Sequence, residues 1–131
     1  MREFDIRSED DIVRARSAAR DFAAELDFSL IEKTRIATAV SELARNTLVH
    51  GGGGQMQIAC ASHNGRQGIR CIFVDQGPGI LDIERAMGEG YSSANSLEQG
   101  LPGARRLTDD FHIASVVGEG TRVEIAKWRD R

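Results

Sequence analysis

The stretch Val74-Asp75-Gln76-Gly77-Pro78-Gly79-Ile80 decides how this 131-residue chain is read. Just upstream, Ile69 to Val74 is a run of β-formers, with Arg70 and Cys71 inside it, and it predicts a strand. The strand ends on the carboxylate of Asp75 and breaks into a turn in which two glycines flank a proline. Pro78 fixes its own φ and offers no N–H, while Gly77 and Gly79 carry no Cβ and can take φ > 0. Such a turn lets backbone lie against a flat ligand with one carboxylate held at the strand's end. A carboxylate there can accept a hydrogen bond from an exocyclic amine such as that of adenine. A short glycine motif alone is equally an ordinary strand ending, so the rest of the chain has to decide.

Outward from that turn, the size and composition are those of one domain able to bury about two-thirds of its unfolded surface. With 40% apolar and 28% charged residues and a net charge of −3, the chain has no basic patch that would point to nucleic acid. No apolar run approaches a membrane span, and Met1-Arg2-Glu3 does not open a signal peptide, so the chain is expected in the cytoplasm. Cys60 and Cys71 fall in expected strands and read as buried small apolar residues rather than a disulfide or metal pair.

At the N-terminus, Glu3 to Arg7 alternates as a half-buried edge strand would. Ser8 and Asp11 then approximate a capping box before a helix whose stripe is Ile12, Ala15, Ala19, Phe22, Ala23 and Leu26. A second helix is predicted from Ser29 or Leu30 to His50. Ile36, Ala39, Val40, Leu43 and Thr47 face its core, and Gly51 is a natural stop. Glu42, Asn46 and His50 recur every four residues and stack on one face. A carboxylate and a carboxamide one turn apart suit magnesium–phosphate chemistry: the amide oxygen is a hard ligand, and the carboxylate can take a proton from an attacking hydroxyl. A solvated helix face would carry the same residues, and His50 is favourable at a helix C-terminus in any case.

Gly51 to Gly54 links into a strand from Gln55 to Ala61. Asn64-Gly65 marks a hairpin into the strand that ends at Asp75, and Asp82 to Met87 forms a short helix. Gly88 to Gly100 has no apolar period and reads as a surface loop or as a lid closing over phosphates. A loop through Gly100 and Gly103 then leads into a helix from about Pro102 to Thr108. Its N-terminus would be a phosphate seat with Arg105 and Arg106 nearby. Phe111 to Val117 and Arg122 to Trp128 close the chain as a hairpin through Gly118-Glu119-Gly120-Thr121. Phe111, Ile113, Val123 and Ile125 point inward there, and Trp128 closes one end of the core.

Taken together, Glu42-x-x-x-Asn46 on a helix, Asp75-x-Gly77-x-Gly79-Ile80 after a strand, Gly100/Gly103, and Gly120-Thr121 before the last strand occur in the order of a known family. The chain resembles the GHKL ATP-binding superfamily in its short bacterial branch of anti-sigma-factor serine kinases. ELARN, DQGPGI, GLPGARRL and GEGTRVEIAKW look most like the RsbT-like switch kinases of the stressosome. The likeness spans nearly the whole chain. It implies an α+β two-layer sandwich (the Bergerat fold), with a mixed, mostly antiparallel sheet, helices on one face and ATP on the helix side.

The same resemblance implies that Asp75 binds the adenine amine, helped through water by Thr121, and that Asn46 holds Mg²⁺ against the phosphates. Gly77, Gly79, Gly100 and Gly103 would let backbone approach the nucleotide, and Glu42 would be the base for the acceptor hydroxyl. Pro102 departs from the wider superfamily, which carries glycine there. His50 looks more like the RsbW-type kinases. The implied activity is Mg-ATP-dependent phosphorylation of a STAS-domain antagonist (RsbS/RsbR-like), followed by activation of a PPM-type phosphatase (RsbU-like). The alternative is a nucleotide-gated module that sequesters a partner, and the resemblance leaves a homodimer open. A stand-alone ATP hydrolase is weaker, because so short a chain has nothing to couple hydrolysis to.

Overall fold

The computed structural model describes residues 1–87 and 96–130, of which 96–99 as backbone only. The elements run β1 (Arg2–Ile6), α1 (Glu9–Glu25), α2 (Leu30–Val49), β2 (Gly54–His63), β3 (Arg66–Asp75), α3 (Ile83–Met87), α4 (Ser96–Leu107), β4 (Asp110–Val116) and β5 (Gly120–Trp128). The five strands form one sheet in the order β1-β2-β3-β5-β4. All four pairings among the described strands are antiparallel, so the sheet is more uniform than the mixed one expected.

Caps set the helix ends. Ser8 Oγ accepts the Asp11 N–H, but the Asp11 carboxylate accepts from the Arg7 N–H, one residue earlier than in a capping box. Ser29 and Glu32 do form the full box at the start of α2. Both helices bury one stripe against the sheet. Ile12, Ala15, Ala19 and Ala23 from α1 and Ile36, Ala39, Val40 and Leu43 from α2 meet Met56, Ile58, Ile69, Cys71, Phe73, Val123 and Ile125 in one core. Strand alternation puts these sheet residues on the inner face.

Three expectations need correcting. Cys60 is exposed, beside Leu26 at the end of α1, while Cys71 is fully buried and burial pushes its thiol well above the ordinary range. Trp128 is buried but alternates away from Ile125. It lies across Gly68 on the sheet's other face, stacked with His63 at 5.5 Å, with its Nε1–H bonded to Asp110 at 2.9 Å. Gly51 does follow the C-cap His50 and stops α2 as expected, with Gly52 and Gly53 taking the positive φ of the turn. Lastly, α4 begins at Ser96, so Pro102 sits inside the helix and not in its first turn. The buried pair Leu101 and Ala104, at helical spacing, outweighs the hydrogen bond that Pro102 forgoes. The lid expected over Gly88 to Gly100 lies largely outside the described residues.

Candidate active site

Asp75 stands at the last position of β3, paired across the sheet with Gly54 on β2 and Thr121 on β5. Its Oδ1 accepts the Gly77 N–H at 2.9 Å, a side-chain turn that starts the bend after the strand. The other carboxylate oxygen lies against Gly51, where a β-carbon would run into the Asp75 side chain. Gly77 packs on Gly51 in turn, leaving 2.8 Å between its missing Cβ and the Gly51 backbone. These approaches draw the C-terminus of α2 down onto the turn. Gly79 has φ +77° and lies beside the Val116 carbonyl, a position open in practice only to glycine. Gly118 N–H closes the turn onto Pro78 O at 2.8 Å.

A cavity of about 240 Å³ opens on the helix side of this arrangement. One face of α2 supplies Leu43, Asn46, Thr47, His50 and then Gly51. The sheet supplies Phe73, Asp75, Thr121 and Val123, the turn supplies Pro78, Gly79 and Ile80, and α4 supplies Leu101. The result is a slot of mixed lining, with apolar walls and with one carboxylate and one hydroxyl on a single rung of the sheet, the layout of a site for a flat ring bearing a polar edge. Burial holds the His50 imidazole below its ordinary range.

Of the residues singled out in the sequence, Asn46, Asp75, Gly79 and Thr121 meet in this one cavity, together with His50. Glu42 is half-buried one turn before Asn46 and does not line the slot. It faces α4, where a β-carbon on Gly100 would stand 3.5 Å from Glu42 Oε2 and 3.3 Å from Asn46 Oδ1. Gly100 is therefore a helix residue packed across Glu42 and Asn46. Gly103 lies further along the same helix, and Arg105 and Arg106 are in its last turn, away from any phosphate seat at its start. Gly77 supports the turn from behind.

No local pattern announces Gly51 against Asp75, or Ile80 and Leu101 as walls. Those contacts join positions far apart in the chain.

One buried group beside the cavity fits the phosphates of a nucleotide. Asn46 Nδ2 is buried with no hydrogen-bond partner among the described residues, an unused donor in the wall of an open slot that a phosphate oxygen would satisfy, which leaves the amide oxygen as the atom able to face a metal. No three His, Cys, Asp or Glu side chains among the described residues converge to hold a metal by themselves. A magnesium ion would fit here as one carried by phosphates with a single protein oxygen, the usual mode for that ion.

The family model for the histidine kinase-like ATPase domain matches residues 7–127. The chain belongs to the histidine kinase-like ATPase family. Within it, the chain is 46% identical over 123 residues to the serine/threonine-protein kinase RsbT of Bacillus subtilis (strain 168), covering 94% of this chain and 92% of that protein. It is 33% identical to the anti-sigma F factor of Clostridium novyi (strain NT), over 86% of this chain and 82% of that one. Among solved structures it matches a histidine kinase domain from a blue-light-activated histidine kinase of Erythrobacter litoralis EL346, with TM-score 0.52 and 20% identity. That match covers 89% of this chain and 58% of that one, and it speaks to the fold alone. The chain is thus an RsbT-like member of the histidine kinase-like ATPases, of the protein serine/threonine kinase class, with relatives on both the kinase and the anti-sigma side of partner switching. No described helix of this kinase is long and apolar enough to cross a membrane.

Proposed function

We propose that residues 1–131 form one ATP-binding kinase domain that transfers the γ-phosphoryl group of Mg-ATP to a serine or threonine of a STAS-domain antagonist (RsbS/RsbR-like). Released from that antagonist, the chain would bind and activate a PPM-type phosphatase (RsbU-like). The observation that carries this reading is the convergence of Asn46, Asp75, Gly79 and Thr121, from separate stretches, on one slot beside Glu42. In it, Asp75 and Thr121 meet the adenine edge, and the backbone at Gly77 and Gly79 gives the ring room. Gly100 and Gly103 serve the phosphate end. Mg²⁺, when bound, would neutralise phosphate charge, with Asn46 as its protein ligand. The acceptor oxygen forms its bond to the γ-phosphorus as the bond to the β–γ bridging oxygen breaks. ADP leaves, and the hydroxyl proton passes to the Glu42 carboxylate. Alignment and charge neutralisation supply most of the rate in such transfers, so a small site suffices.

A second reading, a nucleotide-gated module that acts by sequestering its partner, is favoured by the 33% identity to a protein named as an anti-sigma factor. Glu42→Gln separates the two. The substitution keeps shape and helix propensity and removes the basic carboxylate. Under the kinase reading, nucleotide and antagonist binding persist while the single-turnover phosphotransfer rate falls about 10²–10⁴-fold. Wild-type protein that binds Mg-ATP and a STAS-domain partner yet transfers no phosphate to it would establish the sequestering module instead.

A further inference from the structure

Beyond the cavity wall, the rung that carries Asp75 and Thr121 continues to a third residue. Thr121 pairs directly with Ser115 on the edge strand β4, and all three side chains alternate onto the inner face. Ser115 does not line the slot, but its hydroxyl makes three contacts. Ile80 N–H donates to it at 2.8 Å, Gly120 O lies 3.1 Å away, and Thr121 Oγ1 lies 2.8 Å away. A serine hydroxyl has one hydrogen and two lone pairs. The Ile80 amide can only donate and occupies one lone pair. The Gly120 carbonyl can only accept and claims the single hydrogen. One lone pair remains, and the Thr121 hydroxyl fills it with its own hydrogen. Thr121 then turns nothing but lone pairs toward the cavity.

We propose that Ser115 is a positioning residue that fixes the hydrogen-bond polarity of Thr121 and thereby makes the slot select a 6-amino purine over a 6-oxo purine. This rests on the reading of the slot as a nucleotide site. With Ser115 in place, the rung presents two acceptors side by side: the free oxygen of Asp75 and the lone pairs of Thr121. An exocyclic amine has two hydrogens to give them. A 6-oxo group brings a third acceptor and is refused, because buried polar groups would face one another unpaired. Ser115 also holds Ile80, whose side chain walls the same slot, so one hydroxyl ties the polar edge of the site to its apolar face.

The test is a comparison of ADP with inosine diphosphate, which carries a 6-oxo group and an N1 hydrogen in place of the 6-amino group and N1 lone pair; neither can be consumed by phosphotransfer. Calorimetry on the wild type is expected to favour ADP by at least about tenfold. In Ser115→Ala the Thr121 hydroxyl is free to rotate and donate, so the ADP preference is expected to fall by about three- to tenfold, the worth of one hydrogen bond. A purely structural role would weaken both ligands equally and leave their ratio intact. That result in a folded variant, or a wild type without preference, overturns the proposal. If circular dichroism shows that Ser115→Ala does not fold, Thr121→Val, which removes the lone pairs, is expected to lower the ratio in the same way, and an unchanged ratio there has the same force. A wild type that binds neither ligand overturns the nucleotide-site reading itself, whereas an unchanged ratio in a wild-type-like binder overturns only the role of Ser115.

Discussion

Asp75 divides its two oxygens between jobs: Oδ1 holds the Gly77 amide and builds the turn, and the other faces Gly51 and the slot. That division makes Asp75→Asn a clean substitution. The amide oxygen can still accept from Gly77, so the turn and the fold are expected to survive. The amide NH₂ then meets the ligand's amine, donor against donor, and ADP affinity is expected to drop about ten- to a hundredfold by calorimetry. A folded variant with wild-type affinity would remove ring recognition from this residue. Asp75 and Asn46 were legible in the sequence because their surroundings are local: a strand end with its turn, and a helix face with period four. Gly51 and Ser115 were not. What they do depends on Asp75 and Ile80, which lie 24 and 35 positions away, and no short window contains both partners.

Among the elements, the β2–β3 hairpin sets where Asp75 stands. Its turn has φ of 51° at Asn64 and 76° at Gly65, and from there ten consecutive pairs run to Gly54 opposite Asp75. A slip of one residue would turn the Asp75 carboxylate to the outer face. Gly65→Ala meets no neighbouring atom but must hold a left-handed conformation, and it is expected to cost about 1–2 kcal/mol. That is a fall of several degrees in melting temperature, with nucleotide affinity unchanged. Loss of affinity beyond what the unfolded fraction explains would mean that the turn sets register only weakly. The Asn-Gly signal made this element readable in advance. The start of α4 was misjudged because Gly100, Pro102 and Gly103 are local breakers, while the force that keeps them helical is burial of Leu101 and Ala104 against the rest of the core.

At the scale of the molecule, α2 joins two ends. Its C-terminus walls the slot, and its N-terminus carries Glu32, only 3% exposed, which holds both Ser29 N–H at 2.7 Å and Asp130 N–H at 2.5 Å. Beside it, Lys127 is also 3% exposed and reaches Asp109 at 3.4 Å. Burial works to raise the Glu32 carboxyl, but the two amide bonds, the Ser29 hydroxyl and the Lys127 charge together hold it below the usual carboxylate range. A lowered carboxyl favours the folded state above the unfolded-chain value near 4.3, and that contribution is lost as pH falls through the folded value. Glu32→Gln is therefore expected to cost about 1.5–3 kcal/mol at pH 7 and less in acid, once the pH has fallen through the folded value, measured by urea unfolding at both. Equal costs at the two pH values would show that charge has no part in the latch. The inner face of the sheet and both long helices followed from alternation and period. This latch did not, because it joins residues 98 positions apart through a backbone amide that any residue but proline would supply.

Trp128, the chain's only tryptophan, ends β5 at the latch, whereas Thr121 begins that strand at the slot. Seven residues of strand separate them by roughly 23 Å. The single tryptophan thus monitors the far end of the sheet, and its emission, excited apart from tyrosine, will follow release of the C-terminal strand while staying blind to whatever enters the cavity.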